Sequence, residues 1–392
     1  MSKAALGLMS AYWPEDTPRY AHIPLRTLAE VTIYPAAEED PGRIALVTGA
    51  GPLTYGELSE KVRRFADALR NRVERGARVA IVLDDAAAMV IAALGTFEAE
   101  GLAFVSTSVP PADAMAAFSP DLIVSDAEIK DAPAPVVRFG DLIEAQGKAR
   151  SGRVDFRAPV LAIPARDRRG EVLHSHRSLT ATAVSIASFY LLDAEIILVL
   201  LEPPTLWYTL ALMLGALHKR ATIWAAWEDR PPKAPLRADY VVCGWERAMR
   251  LLDEPRPAAM PGQIDAGLIA AVEGPFSVSL RLRLARKLAT QVLTILGQND
   301  FGPIIASHPG WYLADAAGIP LPNVDLRPLN PADGVPLTIG WEVVEQAELG
   351  VKSALAPAGA PAVQGWFRSG LMAAVDPTGF YFLRSPSRPR GV

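Results

Sequence analysis

The chain has 392 residues, 50% of them hydrophobic and 21% charged, with 39 Lys and Arg against 43 Asp and Glu for a formal net charge of −4. This composition excludes a disordered chain, and the single cysteine, Cys243, excludes an internal disulfide framework or a multi-cysteine zinc or iron–sulfur site. Mild acidity offers no basic face for nucleic acid, and the longest apolar run, Trp207 to Leu217, has 11 residues against the roughly 20 that span a bilayer.

The length allows two to three domains of about 150 residues each. Lys3 and a brief apolar stretch to Met9 are followed too soon by Glu15 and Asp16 for a signal peptide, so a cytoplasmic location is expected. Residues 1–24 read as an N-terminal extension broken by Pro14, Pro18 and Pro24. After Leu53, Thr54 with Glu57 forms a capping-box pattern, and Leu58, Val62, Phe65, Ala66 and Leu69 recur at helical spacing. A strand at Arg78–Leu83 and an Ala-rich helix from about Ala86 to Glu98 come next. Further strands are expected at Leu102–Val105, Leu122–Val124 and Val160–Ile163. A helix from Ser178 to Leu191, the strand Ile196–Leu201, the helix Leu206–Leu217 and the strand Thr222–Ala225 continue the alternation. Asp239–Val242, a helix from Trp245 to about Leu252, Leu268–Val272, a helix near Ser279–Leu288 and Val292–Leu296 complete it.

Continuous apolar strands alternating with amphipathic helices imply an α/β fold of buried, mostly parallel sheets. Beyond about residue 305, short segments near Val324–Arg327, Leu337–Ile339 and Phe380–Leu383 suggest a small β-rich subdomain, with Ala354–Pro361 as a loop.

Six segments, in order, resemble the large N-terminal domain of the ANL superfamily of adenylate-forming enzymes. They are Arg43-Ile-Ala-Leu-Val, Leu53-Thr-Tyr-Gly-Glu-Leu, Gly76-Ala-Arg-Val-Ala-Ile-Val-Leu, His174-Ser-His-Arg-Ser-Leu, Leu296-Gly-Gln-Asn-Asp-Phe-Gly-Pro and Gly365-Trp-Phe-Arg-Ser-Gly-Leu, the last followed by Val375-Asp-Pro-Thr-Gly-Phe. The resemblance covers roughly residues 25–385. It implies two stacked α/β subdomains over 25–305 and a small β-rich subdomain over 306–392. In the family a smaller C-terminal lid domain follows and carries the adenylation Lys. This chain ends at Val392, so the lid is expected to be absent.

The resemblance also implies chemistry, because ANL enzymes activate a carboxylate with ATP and then usually form a thioester. Their phosphate loop, Thr-Ser-Gly-Thr-Thr-Gly-x-Pro-Lys-Gly, presents backbone N–H groups and small hydroxyls to phosphate. Here the corresponding stretch is Ala162-Ile-Pro-Ala-Arg-Asp-Arg-Arg-Gly-Glu, with one Gly and no Ser, Thr or Lys. Pro164 lacks an N–H, and Asp167 adds a like charge beside any phosphate. Arg166, Arg168 and Arg169 either bind a different anion or form an ordinary solvated charged loop. Gly297, Gln298, Asn299 and Asp300 stand in the block where the family has Thr and a Mg²⁺-binding Glu. Asp300 keeps a carboxylate on a shorter stem, and a strand-end turn is the alternative reading of the same residues. Leu371 replaces the Asp that binds the ribose hydroxyls. In the family the acyl pocket lies between segments matching Pro203–Tyr208, Glu273-Gly274-Pro275 and Leu296–Gly302; here Thr205 stands near the usual His, and Trp207, Tyr208 and Gly274 either line that pocket or fill it.

Other candidates are weaker. His174 and His176 have a spacing compatible with a metal but no third ligand nearby, and the family carries the same His-Ser-His without metal. His218 and His308 read as surface or hydrogen-bonded structural residues, Cys243 as a buried inert thiol, and Asp84-Asp85 as a strand-end loop. The expectation is a catalytically degenerate AMP-dependent synthetase/ligase homologue, with no cofactor. It would bind an acyl or aryl group, an acyl carrier protein or a partner enzyme. One alternative is a divergent acyl-CoA or acyl-carrier ligase that uses ATP, Mg²⁺ and a lid supplied in trans. Another is a non-catalytic structural subunit in a homo- or hetero-oligomer.

Overall fold

In a computed structural model, the described residues are 13–147, 149, 153–165, 170–338, 342–357, 362–363 and 365–385. The helix Tyr55–Leu69 begins at its capping box: Glu57 N–H donates to Thr54 Oγ1 at 3.2 Å and Thr54 N–H donates to the Glu57 carboxylate at 2.8 Å. Leu58, Val62, Phe65, Ala66 and Leu69 are all buried, as their spacing requires. The helix Ala86–Glu98 is buried nearly all round. Asp85 caps it by accepting from the Ala88 N–H at 2.7 Å, which gives the expected strand-end acid a structural task.

Two large sheets carry the parallel strands. The six-stranded sheet runs Val136–Val137, Leu122–Ser125, Arg78–Val82, Leu102–Ser106, Pro159–Pro164 and Glu171–Ser175 across its width. All its pairings are parallel except the last, a hairpin. The nine-stranded sheet is parallel from Val292–Gln298 through Gln263–Val272, Arg237–Gly244, Ile197–Leu200 and Thr222–Ala225 to Ile44–Thr48. Its edges are antiparallel, with Gly51–Thr54 on one side and Gly302–Ala306 then Ile319–Pro320 on the other. A third, antiparallel sheet holds Val324–Leu329, Val344–Ser353, Trp366–Val375, Ala362–Val363 and Tyr381–Arg384. The mixed α/β architecture with a small β-rich sheet agrees with the sequence reading.

The helices Ala86–Glu98, His176–Phe189 and Trp207–His218 share one buried cluster with strands of both large sheets. Arg281, 1% exposed, ties the helix Val278–Leu288 to the sheet edge. It donates to the carbonyls of Val292 (2.7 Å) and Ala314 (2.9 Å) and to Ser307 Oγ (3.1 Å).

The structure refines several expectations and adds elements to others. Residues 13–24 have no regular element, yet they are pinned to the rest of the protein. Thr17 Oγ1 lies 3.1 Å from His308 Nε2, Tyr20 Oη donates to Asp325 at 2.7 Å, and Asn323 N–H donates to the Arg19 carbonyl at 3.1 Å. The helix expected from Ser178 starts at His176, because Ser175 and Ser178 cap it reciprocally at 3.3 and 3.0 Å. Leu337 forms no strand; its N–H reaches the Pro328 carbonyl at 2.8 Å beside an isolated bridge, and Ile339 lies outside the described residues. Residues 358–361 of the expected loop lie outside them as well. The structure adds short helices at Leu28–Thr32, Tyr34–Glu39, Ala112–Phe118 and Phe139–Glu144. Among the described residues no helix is long and apolar enough to cross a membrane.

Candidate functional site

The two large sheets approach each other where the carboxyl end of Pro159–Pro164 meets the carboxyl end of Val292–Gln298. Pro159–Pro164 turns back as a hairpin into Glu171–Ser175, with Pro164 paired to Glu171 and the Ala165 N–H donating to the Gly170 carbonyl at 2.9 Å. Arg166, Asp167, Arg168 and Arg169, the connection itself, lie outside the described residues. Arg78 anchors the returning strand, its Nη2 lying 2.5 and 2.7 Å from the two Glu171 carboxylate oxygens. The same guanidinium lies over the Phe118 ring, 4.4 Å from its centroid.

From that strand the chain passes through both histidines. His174 is buried and makes a backbone hydrogen bond with Asn299, and its Nδ1 lies 3.4 Å from Ser178 Oγ. Burial lowers its pKa to about 4, with the Asn299 bond opposing that shift, so the ring is neutral at pH 7. His176 Nδ1 accepts from the Leu28 N–H at 3.1 Å, and its Nε2 faces the Phe97 carbonyl at 3.1 Å. Those partners assign the proton to Nε2 and engage both nitrogens in fastening three helices together. No group of three metal-capable side chains occurs among the described residues.

Opposite the hairpin, Gly297 has no room for a side chain. A Cβ there would lie 2.5 Å from the Gly302 carbonyl oxygen and 2.7 Å from Trp207 Cζ3. Gln298 is 2% exposed, and its Nε2 has no hydrogen-bond partner. Asn299 is half-buried and its Nδ2 donates to the Pro164 carbonyl at 2.9 Å. Asp300 sits half-buried in the turn that follows. The structure therefore brings the 297–300 block against the base of the hairpin that carries residues 166–169.

Around the remaining candidates, bulky side chains occupy the interior. Trp207 and Tyr208 are 5% and 7% exposed and meet edge to face at 5.3 Å between ring centroids. Tyr208 Oη donates to Glu202 Oε2 at 2.7 Å, the Gly244 N–H donates to the same oxygen at 2.5 Å, and Trp207 Nε1 lies 3.5 Å from Glu273 Oε1. Burial, then the bond to Glu202, raises the Tyr208 pKa far above its usual value. Thr205 is half-buried, and Gly274 faces open space. Glu202 was not singled out in the sequence, and Glu273 appeared there only as part of the Glu273-Gly274-Pro275 segment. Their signal is positional, since each follows the carboxyl end of a parallel strand, where α/β sheets place ligands.

Leu371 is 6% exposed and belongs to the main core. The charged groups of its strand lie beside it: Arg368 Nε donates to Glu348 Oε2 at 2.8 Å, and the Gly370 N–H donates to Glu348 Oε1 at 3.0 Å. Cys243 is fully buried, and burial pushes its thiol pKa upward. His218 bonds the Val31 carbonyl at 3.0 Å; burial lowers its pKa and that of the buried His308.

Residues 34–122 match the family model of AMP-binding enzymes. ATP-bound MatB from Rhodopseudomonas palustris superposes with a TM-score of 0.77 at 18% identity, over 91% of this chain and 77% of that one. The fold is that of the ANL adenylate-forming enzymes. A benzoate CoA ligase from Burkholderia xenovorans LB400 shares this ANL fold with a TM-score of 0.77 at 20% identity, over 93% of this chain and 80% of that one. A linear gramicidin synthase from Brevibacillus parabrevis is 40% identical over 83 residues, which are 21% of this chain. The match spans only 2% of that relative's length. The ANL resemblance carried by the six sequence blocks is thus borne out.

Proposed function

We propose that this chain is a catalytically degenerate AMP-dependent synthetase/ligase homologue that works by binding an acyl carrier or a partner enzyme and forms no acyl-adenylate. The observation that carries this reading is Leu371. The ANL resemblance implies a carboxylate for the ribose diol at that strand position, and an aliphatic side chain packed into the core offers none. Each charge-assisted hydrogen bond lost there is worth about 1.5–3 kcal/mol, or roughly ten- to a hundredfold in affinity. The hairpin adds to the argument. Pro164 has no N–H, and the Ala165 N–H is committed to Gly170, so neither donates to phosphate. Together these losses argue against a bound adenylate.

The choice of a macromolecular partner over a free acyl or aryl group rests on Trp207 and Tyr208. Both are buried, and Trp207 presses against Gly297, so they occupy the space a small acid would take. Likeness to a linear gramicidin synthase supports a carrier as the partner.

A second reading, a ligase completed by a lid in trans, is favoured by one contact. Asn299 still faces Pro164 across the gap between the sheets, and Asp300 supplies a carboxylate next to it. Calorimetry with Mg²⁺–ATP, paired with pyrophosphate exchange over a panel of fatty and aromatic acids, decides between them. The degenerate reading expects neither heat nor exchange. Micromolar ATP binding would sink it and send the search to a lid-bearing partner.

A further inference from the structure

The six-stranded sheet has a second concave end. At the amino termini of Arg78–Val82, Leu102–Ser106 and Pro159–Pro164 lies a cleft of about 830 Å³, within the size range of small-molecule sites. It is separated from the Asn299 contact by the whole strand Pro159–Pro164, about 17 Å at 3.3 Å per residue. Four arginines line it: Arg75, Arg153, Arg157 and Arg177. Two carboxylates accompany them, Glu100 and Asp155, leaving an excess of two positive charges in a chain whose overall charge is −4.

Both acids already have work. Glu100 pairs with Arg75, and Asp155 Oδ1 accepts the Arg157 backbone N–H at 2.9 Å. Among the described residues, the guanidinium groups of Arg153, Arg157 and Arg177 have no ion-pair or hydrogen-bond partner. All four arginines are exposed, so water screens part of their mutual repulsion, and an anion held between them would remove more of it. The guanidinium fork matches phosphate and carboxylate oxygens two at a time. Arg177, in the first turn of the 14-residue helix His176–Phe189, also brings the positive end of that helix toward the cleft.

We propose that this cleft binds a small polyanion bearing phosphate or carboxylate groups. The chain's net negative charge disfavours a long nucleic-acid strand, whereas a compact polyanion meets only the local excess. The site stands apart from the proposed function and does not depend on it.

The test is calorimetry on the full chain at low ionic strength, with inorganic pyrophosphate in one series and citrate in the other. Saturable micromolar binding of either anion is expected, weakened by about tenfold or more in the Arg153→Gln/Arg177→Gln double variant. Circular dichroism checks that the double variant folds; if it does not, the single variant Arg157→Gln carries the comparison. A control pair on a distant helix, Arg247→Gln/Arg250→Gln, should bind like the unmodified protein. Binding by pyrophosphate alone assigns the site to phosphates, and binding by citrate alone assigns it to carboxylates. The proposal is overturned by no saturable heat with either anion, by equal affinity in the cleft variants, or by an equal loss in the control pair.

Discussion

Asn299 and Pro164, 135 positions apart in the chain, are joined by a single hydrogen bond of 2.9 Å from the Asn299 side-chain amide to the Pro164 carbonyl. The bond fastens the end of the nine-stranded sheet to the hairpin of the six-stranded sheet, with the backbone contact between Asn299 and His174 beside it. A side chain of the protein thus spans these two walls.

Replacing this bridge should loosen the two walls. Asn299→Ala is expected to lower stability by about 1 kcal/mol. Asn299→Asp should cost more, because it sets a carboxylate oxygen against a carbonyl oxygen. Urea unfolding measures both, and amide exchange at Ala165 and Gly170 should quicken in the two variants. Equal stability of Asp and Asn at this position would show that the bond carries no weight.

His174 makes stability depend on pH in the acid range. Its pKa is lowered from about 6.5 in the unfolded chain to about 4 in the fold, so between those values the unfolded chain binds the extra proton. Stability is therefore complete above about pH 6.5 and is lost as pH falls toward 4, by roughly 3 kcal/mol from this group. His174→Gln should flatten the profile in that window while costing stability at pH 7. Thermal melts from pH 7 to 4 on both proteins provide the comparison, and parallel curves would remove His174 from the account.

Leu371 offers a test of position against chemistry. Leu371→Asp supplies the carboxylate that the proposed reading finds missing, but it places a charge in the core. The expected result is a loss of about 3 kcal/mol or more and no gain in ATP binding. Denaturant titration and calorimetry read the two effects separately. A stable variant with new micromolar ATP affinity would mean that one substitution alone had closed the site.

Much of the fold was legible where local rules agree. The capping box at Thr54 and the Ala-rich run from Ala86 mark helix ends that the structure keeps, and Thr222–Ala225 is a strand with the bounds expected of it. Short antiparallel strands such as Gly51–Thr54 and Gly302–Ala306 were not legible, because weak local preference is overruled by a neighbouring strand that supplies hydrogen bonds. The candidate site was half legible. Its block positions could be counted from the motifs, but Glu202 and Glu273 join it only through the strands that carry them.

The sequence by itself determined the alternation of elements, the resemblance to the ANL fold and the residues that depart from its motifs, since periodicity, caps and motif order are local properties of the chain. Tertiary structure alone decided where those residues sit and what they touch. It placed Leu371 in the core, set Trp207 against Gly297, engaged both nitrogens of His176, and brought Arg177 beside the segment carrying Arg153 and Arg157 around one cleft. Burial and partner choice depend on residues far apart in the chain, and only the packed sheets bring those residues together.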